Sequence, residues 1–219
     1  MKKFILLIVL SGTVSSVSYG QIVKGSLLFG GDFSGYSEKQ LSNGIRSDLS
    51  GFQLTPLFGK AKKDNLFLGG FLNLGLANRD GNSGTIVMKN NIYGAGFFLR
   101  KYSEISNKFY GFFQGNLGIN YIKQTGSSNV NSSNESKRTS FGVSLSPGLS
   151  YKISKKLHLE SSLRELVSLG YSTQTNFSNV SGAMNSSKFN RVYFSSSLNS
   201  FSSNLSLGFR LLIEKRVVH

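Results

Sequence analysis

From Val23 onward the apolar residues of this chain recur at every second position, not at spacings of three and four. A period of two marks strands whose two faces meet different surroundings. Residues 141–153 show it most clearly. Phe141, Val143, Leu145, Pro147, Leu149, Tyr151 and Ile153 share one face, and Gly142, Ser144, Ser146, Gly148, Ser150 and Lys152 share the other. Leu205, Leu207, Phe209, Leu211 and Ile213 alternate with polar residues or glycine in the same way, as do Phe109, Phe113, Leu117, Ile119 and Tyr121 with Tyr110, Gln114, Asn116 and Asn120. The whole chain divides into eight such segments, at about 23–36, 49–60, 65–78, 88–101, 108–122, 139–153, 157–172 and 191–213. An even number of strands, most of them longer than a bilayer crossing needs, predicts an all-β fold: an eight-stranded antiparallel up-and-down transmembrane β-barrel over 21–213. The last segment is too long for one crossing, so Arg191 to Ser200 is expected above the membrane or in a loop.

Alternation alone also fits a soluble barrel with an apolar lumen. The polar face, however, consists largely of Gly, Ser and Asn, which suit a narrow lumen, whereas a water-facing wall would carry many more Lys and Glu. Connections alternate in length. Those at 37–48, 79–87, 123–138 and 173–190 are long and rich in Ser, Asn, Gly and Thr; those at 61–64, 102–107 and 154–156 are tight. Long outer loops and short periplasmic turns are the arrangement of bacterial outer-membrane barrels. Lys60, Lys62, Lys63, Arg100, Lys101, Lys108, Lys152, Lys155, Lys156, Lys215 and Arg216 gather at the short-turn end, either as solvated turn charges or as a girdle at lipid headgroups. Tyr102, Phe109, Tyr110, Tyr121 and Tyr151 are candidates for the aromatic belts.

The first twenty residues read as a signal peptide. Met1-Lys2-Lys3 is a basic start, Phe4 to Leu10 an apolar run, and Ser18-Tyr19-Gly20 a small-residue cleavage site. The domain reading is therefore signal peptide 1–20, barrel 21–213 and polar tail 214–219. The formal charge of +15 over 219 residues would ordinarily suggest nucleic acid, but export argues against it. With no Cys and two His, thiolate metal sites and Cys nucleophiles are excluded, and no metal or cofactor is expected.

Residues 96–122, GFFLRKYSEISNKFYGFFQGNLGINYI, resemble the fourth-to-fifth strand unit of the small outer-membrane β-barrel family common in Bacteroidetes, an OmpA/OmpX-like class of eight-stranded barrel. Within 141–171, Pro147-Gly148-Leu149-x-Tyr151 and Leu169-Gly170-Tyr171 are similar to a second unit of that family, with Arg164-Glu165 departing from its small residues. The resemblance implies the outer membrane as location, with membrane lipids, lipopolysaccharide and the barrel-assembly machinery as partners. Ser206-x-Gly208-x-x-Leu211-x-Ile213 resembles the assembly signal of a last strand, although the chain continues past it to His219 instead of ending on an aromatic residue.

By parity Asp32, Arg100, Glu160, Arg164 and Arg210 fall on the polar face, where charges in a narrow lumen must pair. Glu165 falls nominally on the lipid face unless a bulge at Arg164-Glu165 re-aims it. A lipid A deacylase type of site needs a His and a Ser two apart. Here Ser161 lies three from His158, on the opposite face, and His158 is expected to be an interfacial residue. No catalytic set is found. The reading is a non-enzymatic barrel with a structural or surface-interaction role in the cell envelope; the alternative is a channel for small or apolar solutes.

Overall fold

The computed structural model describes residues 22–42, 45–81, 86–128, 132–180, 183–196 and 205–214. The predicted signal peptide and most of the tail lie outside these. Ten antiparallel strands form one sheet: β1 (Leu27–Ser42), β2 (Ile45–Lys63), β3 (Leu66–Gly81), β4 (Ile86–Ser106), β5 (Phe109–Ser128), β6 (Ser132–Lys152), β7 (Leu157–Leu163), β8 (Val167–Val180), β9 (Ala183–Ser196) and β10 (Leu205–Ile213). Strands β1 to β6 pair in sequence. β6 then pairs with β8 along 132–145 and with β7 along 148–152; β9 pairs with β8, and β10 lies between β7 and β1. The pairing thus returns from β10 to β1 and closes on itself.

The eight expected segments are corrected to ten strands. Segment 157–172 is broken at Arg164–Leu166, where Glu165 adopts a left-handed φ of 51° that a continuous strand cannot contain. Segment 191–213 is delivered as β9 and β10. Contrary to expectation, Arg191 to Ser196 do not rise clear of the apolar rows, because Val192 and Phe194 pair beside Tyr171 and Leu169. The four long connections are also corrected. Strands run through most of each, so the β1–β2 hairpin extends to Ser42/Ile45 and the β5–β6 hairpin pairs out to Ser127/Ser133. In the β5–β6 extension both faces are polar, so backbone pairing continues there without the alternation that reveals strands elsewhere.

The short ends turn tightly. Asn65 holds a φ of 59°, which Asn tolerates, and the Ser154 hydroxyl accepts from the Leu157 N–H at 3.1 Å. Residues 22–26 fold back beneath the first turn. The Ile22 N–H donates to Asn65 Oδ1, the Lys24 N–H to Asp64 Oδ1, and Gly25, with a φ of 92°, donates to the Ala61 carbonyl.

The apolar faces point outward. Phe97 is 67% exposed, and Phe33, Leu72, Phe113, Ile119, Phe141, Leu149, Leu207 and Phe209 are likewise exposed. An apolar exterior reverses the arrangement of a soluble barrel, in which these residues would fill the lumen. Along β6 the belt runs from Phe141 to Tyr151, a height of roughly 25 Å at about 3.3 Å per residue and a 40° tilt, the height of an outer-membrane apolar band.

Candidate functional site

Period two sends Asp32 of β1, Arg100 of β4, Glu160 of β7 and Arg210 of β10 inward, and closure of the sheet brings them together. Arg100, Glu160 and Arg210 are each 1% exposed. Glu160 Oε2 accepts from Arg100 at 2.7 Å and lies 3.1 Å from Arg210 Nε, while Oε1 accepts from the Tyr102 hydroxyl at 2.6 Å. Arg100 also donates to Gln114 Oε1 at 2.6 Å and to the Tyr102 oxygen at 2.9 Å, with its guanidinium 4.4 Å from the centre of the Phe112 ring. Arg210 completes its fork on the Asp32 carboxylate and donates to the Gly31 carbonyl at 2.7 Å. Two cations and two anions balance, so this buried cluster carries no net charge of its own. Gly208 makes room for this. A Cβ there would lie 2.3 Å from Asp32 Oδ1 and 2.7 Å from Arg210.

Arg164 lies on the lumenal side but stands apart from these ion pairs, donating to Ser34 Oγ at 2.6 Å. Glu165 is exposed at the break between β7 and β8, where it borders the lumenal cavity, and its N–H donates to Ser146 Oγ at 3.1 Å. Above the charges the lumen holds a cavity of about 90 Å³, edged by amides and hydroxyls. Thr55 donates to Asn73, which donates to Asn120; Gln114 donates to Asn116, which donates to Ser144.

Below the charges the lumen is filled mainly by apolar side chains. Ile22, Leu28, Leu57, Phe67, Phe98, Tyr102, Tyr110, Phe112 and Leu212 form one buried cluster. Tyr102 and Tyr110 therefore belong to this plug, not to an aromatic belt. Their even positions, which share the parity of Arg100 and Gln114, carried that information. Phe109 and Tyr151, with ring centres 4.9 Å apart, do sit on the wall. The sequence reading also missed Phe98 and Phe112. Their signal is the glycines facing them: a Cβ on Gly59 would meet Phe98 at 2.8 Å and one on Gly148 would meet Phe112 at 2.3 Å.

His158 is corrected as well. It is buried inside the lower lumen, its Nδ1 3.1 Å from Ser150 Oγ and its ring beside Tyr110, because its parity is that of Glu160. Ser161 pairs across from Leu207 and Leu149 on the outward parity. Ser150 is fully enclosed. Among the described residues no three His, Asp or Glu side chains group closely enough to hold a metal ion. Of the last-strand motif, Ser206 bonds Ser162 through their hydroxyls at 2.7 Å, Gly208 faces the charge cluster, and Leu211 and Ile213 point outward.

A closed antiparallel sheet with an apolar outer belt and a plugged polar lumen defines the class: the fold is that of an outer-membrane β-barrel. Among solved structures the chain is similar to the outer membrane protein OprG from Pseudomonas aeruginosa, with 15% identity and a TM-score of 0.52 over 88% of this chain and 98% of that one. A major outer membrane protein from Thermus thermophilus aligns at 12% identity and a TM-score of 0.47, over 86% of this chain and 99% of that one. No protein-family model and no curated protein sequence matches the chain.

Proposed function

We propose that the protein is a non-enzymatic component of the bacterial outer membrane, exported through a signal peptide at 1–20, with a structural or surface-interaction role. On this reading it is an eight-stranded wall of the OmpA/OmpX-like, Bacteroidetes type, in which β7 with β8 and β9 with β10 each act as one interrupted strand. The observation that carries it is occlusion: the buried Arg100–Glu160–Arg210 cluster and the aromatic residues beneath it fill the lower lumen, so the barrel wall and its protruding hairpins are what the molecule offers to its surroundings. Fractionation of the envelope, with gel mobility of heated and unheated protein, tests the location; recovery in the soluble periplasm without a mobility shift would overturn it. Planar-bilayer recording tests the closed lumen, and steady single-channel steps from the wild type would refute it.

The channel reading draws on the polar cavity above the charges. It requires conductance in the wild type or on replacing Arg100 and Arg210 by alanine, and silence in both removes it.

A further inference from the structure

Arg100, Arg164 and Arg210 each have a protein partner inside the lumen, whereas among the described residues no lysine of the short-turn rim is in an ion pair. Lys24, Lys60, Lys62, Lys63, Lys101, Lys108, Lys155 and Lys156 are exposed and Lys152 is half-buried. Among the described residues none of the nine is in an ion pair. Acids are scarce there: Asp64, whose carboxylate accepts from the Lys24 backbone N–H, with Glu104 and Glu214.

Register places these cations against the apolar belt. Lys60 pairs beside Leu68 and follows Phe58 on the outer face; Lys101 pairs beside Leu66 and Phe113 and follows Leu99. Lys63 and Lys101 flank Leu66 on the two neighbouring strands, an interval of about 10 Å. The Lys152 N–H donates to the Lys108 carbonyl, which holds the exposed Lys108, immediately before β5, beside the end of β6. The ring pairs Phe29–Phe58 and Phe109–Tyr151 stand on the wall near the same rim, as aromatic residues do at a membrane interface. Lysine stems can then lie along the wall with their ammonium groups at headgroup depth.

The opposite end is also basic but is built differently. Its charges are spread along hairpins that continue past the belt, and Lys123 and Lys137 both pair with Glu135, at 3.4 and 3.0 Å.

We infer that the short-turn rim is a binding surface for anionic phospholipid headgroups of the adjoining leaflet, held by Lys60, Lys62, Lys101 and Lys108. The inference rests on the reading of the chain as a membrane barrel. A lysine close to an anionic surface is worth on the order of five-fold in attraction, and several at one rim enrich such lipids around the barrel.

The full mature chain is reconstituted in vesicles of mixed phosphatidylcholine and phosphatidylglycerol, and the selectivity of spin-labelled lipid for the protein boundary is measured. Heat-modifiable mobility in the same vesicles reports insertion, so failure to insert and failure to select are read separately. Phosphatidylglycerol is expected to be preferred by about two-fold or more at low salt, with the preference falling as salt screens the lysines. Changing Lys60, Lys62, Lys101 and Lys108 together to Gln, which retains most of each stem, should bring it close to unity. The matching change of Lys89, Lys123, Lys137 and Lys188 at the far end should leave most of it. Equal affinity for the two lipids, an unchanged preference in the rim variant, or a loss confined to the far-end variant overturns the inference. The salt series on the wild type tests it even if a variant folds poorly.

Discussion

Glu160→Gln isolates the electrostatics of the lumen from its packing. Gln has nearly the shape of Glu and can still accept from Arg100 or Tyr102, so little volume changes. What is lost is the anion that both guanidiniums share, with contacts of 2.7 and 3.1 Å to one oxygen. Arg210 keeps Asp32, whereas Arg100 is left with the neutral Gln114, Tyr102 and Phe112 at 1% exposure. Removing one partner of a buried ion pair costs about 3–5 kcal/mol, which is on the order of a hundred-fold or more in the folding equilibrium. The chain has no Trp, so folding into lipid vesicles across a urea series is followed by gel mobility and far-ultraviolet circular dichroism. The midpoint should fall by roughly 1 M or more. Adding Arg100→Met to Glu160→Gln should recover part of the loss, since the uncompensated cation is then gone. A cost below about 1 kcal/mol for Glu160→Gln, the range of an exposed pair, would refute the view that these charges hold the lumen closed. Glu135→Gln, whose lysine partners stand in solvent, serves as the control and should leave the midpoint unchanged.

Three further outcomes follow from the same geometry. Gly148→Leu should abolish folding because its Cβ would sit 2.3 Å from Phe112 Cζ and 2.7 Å from the Ser161 carbonyl oxygen, and Phe112→Ala in the same chain, which removes only the first clash, should restore at most part of the heat-modifiable protein. Leu145→Arg, in the middle of the β6 belt, should destabilise the inserted state by about 2–4 kcal/mol, while Ile153→Arg at the rim should cost about 0–1 kcal/mol, both measured by vesicle refolding. Gly208→Val should displace Asp32 from Arg210 and lower the yield of folded barrel in a refolding assay, whereas Leu207→Val on the outer face should not.

Period two, read along the chain, determined which side chains share a face, and with it the antiparallel barrel class and the common parity of Asp32, Arg100, Glu160, Arg164 and Arg210. Parity is a backbone property and survives without knowledge of neighbours. It also contained the inward aim of His158, Tyr102 and Tyr110, which side-chain character concealed: an aromatic or imidazole ring is as much at home at an interface as in a plug. Other features depended on pairing across the sheet. No local pattern announces that Phe98 and Phe112 fill the space left by Gly59 and Gly148, because those residues are brought together by register and not by spacing. The same holds for the β5–β6 hairpin extension, where both faces are polar and only the partner strand makes a strand of it. The break between β7 and β8 is likewise a matter of tertiary structure: Glu165 holds a left-handed φ there while its N–H donates to the Ser146 hydroxyl on β6, a partner that only the folded sheet supplies.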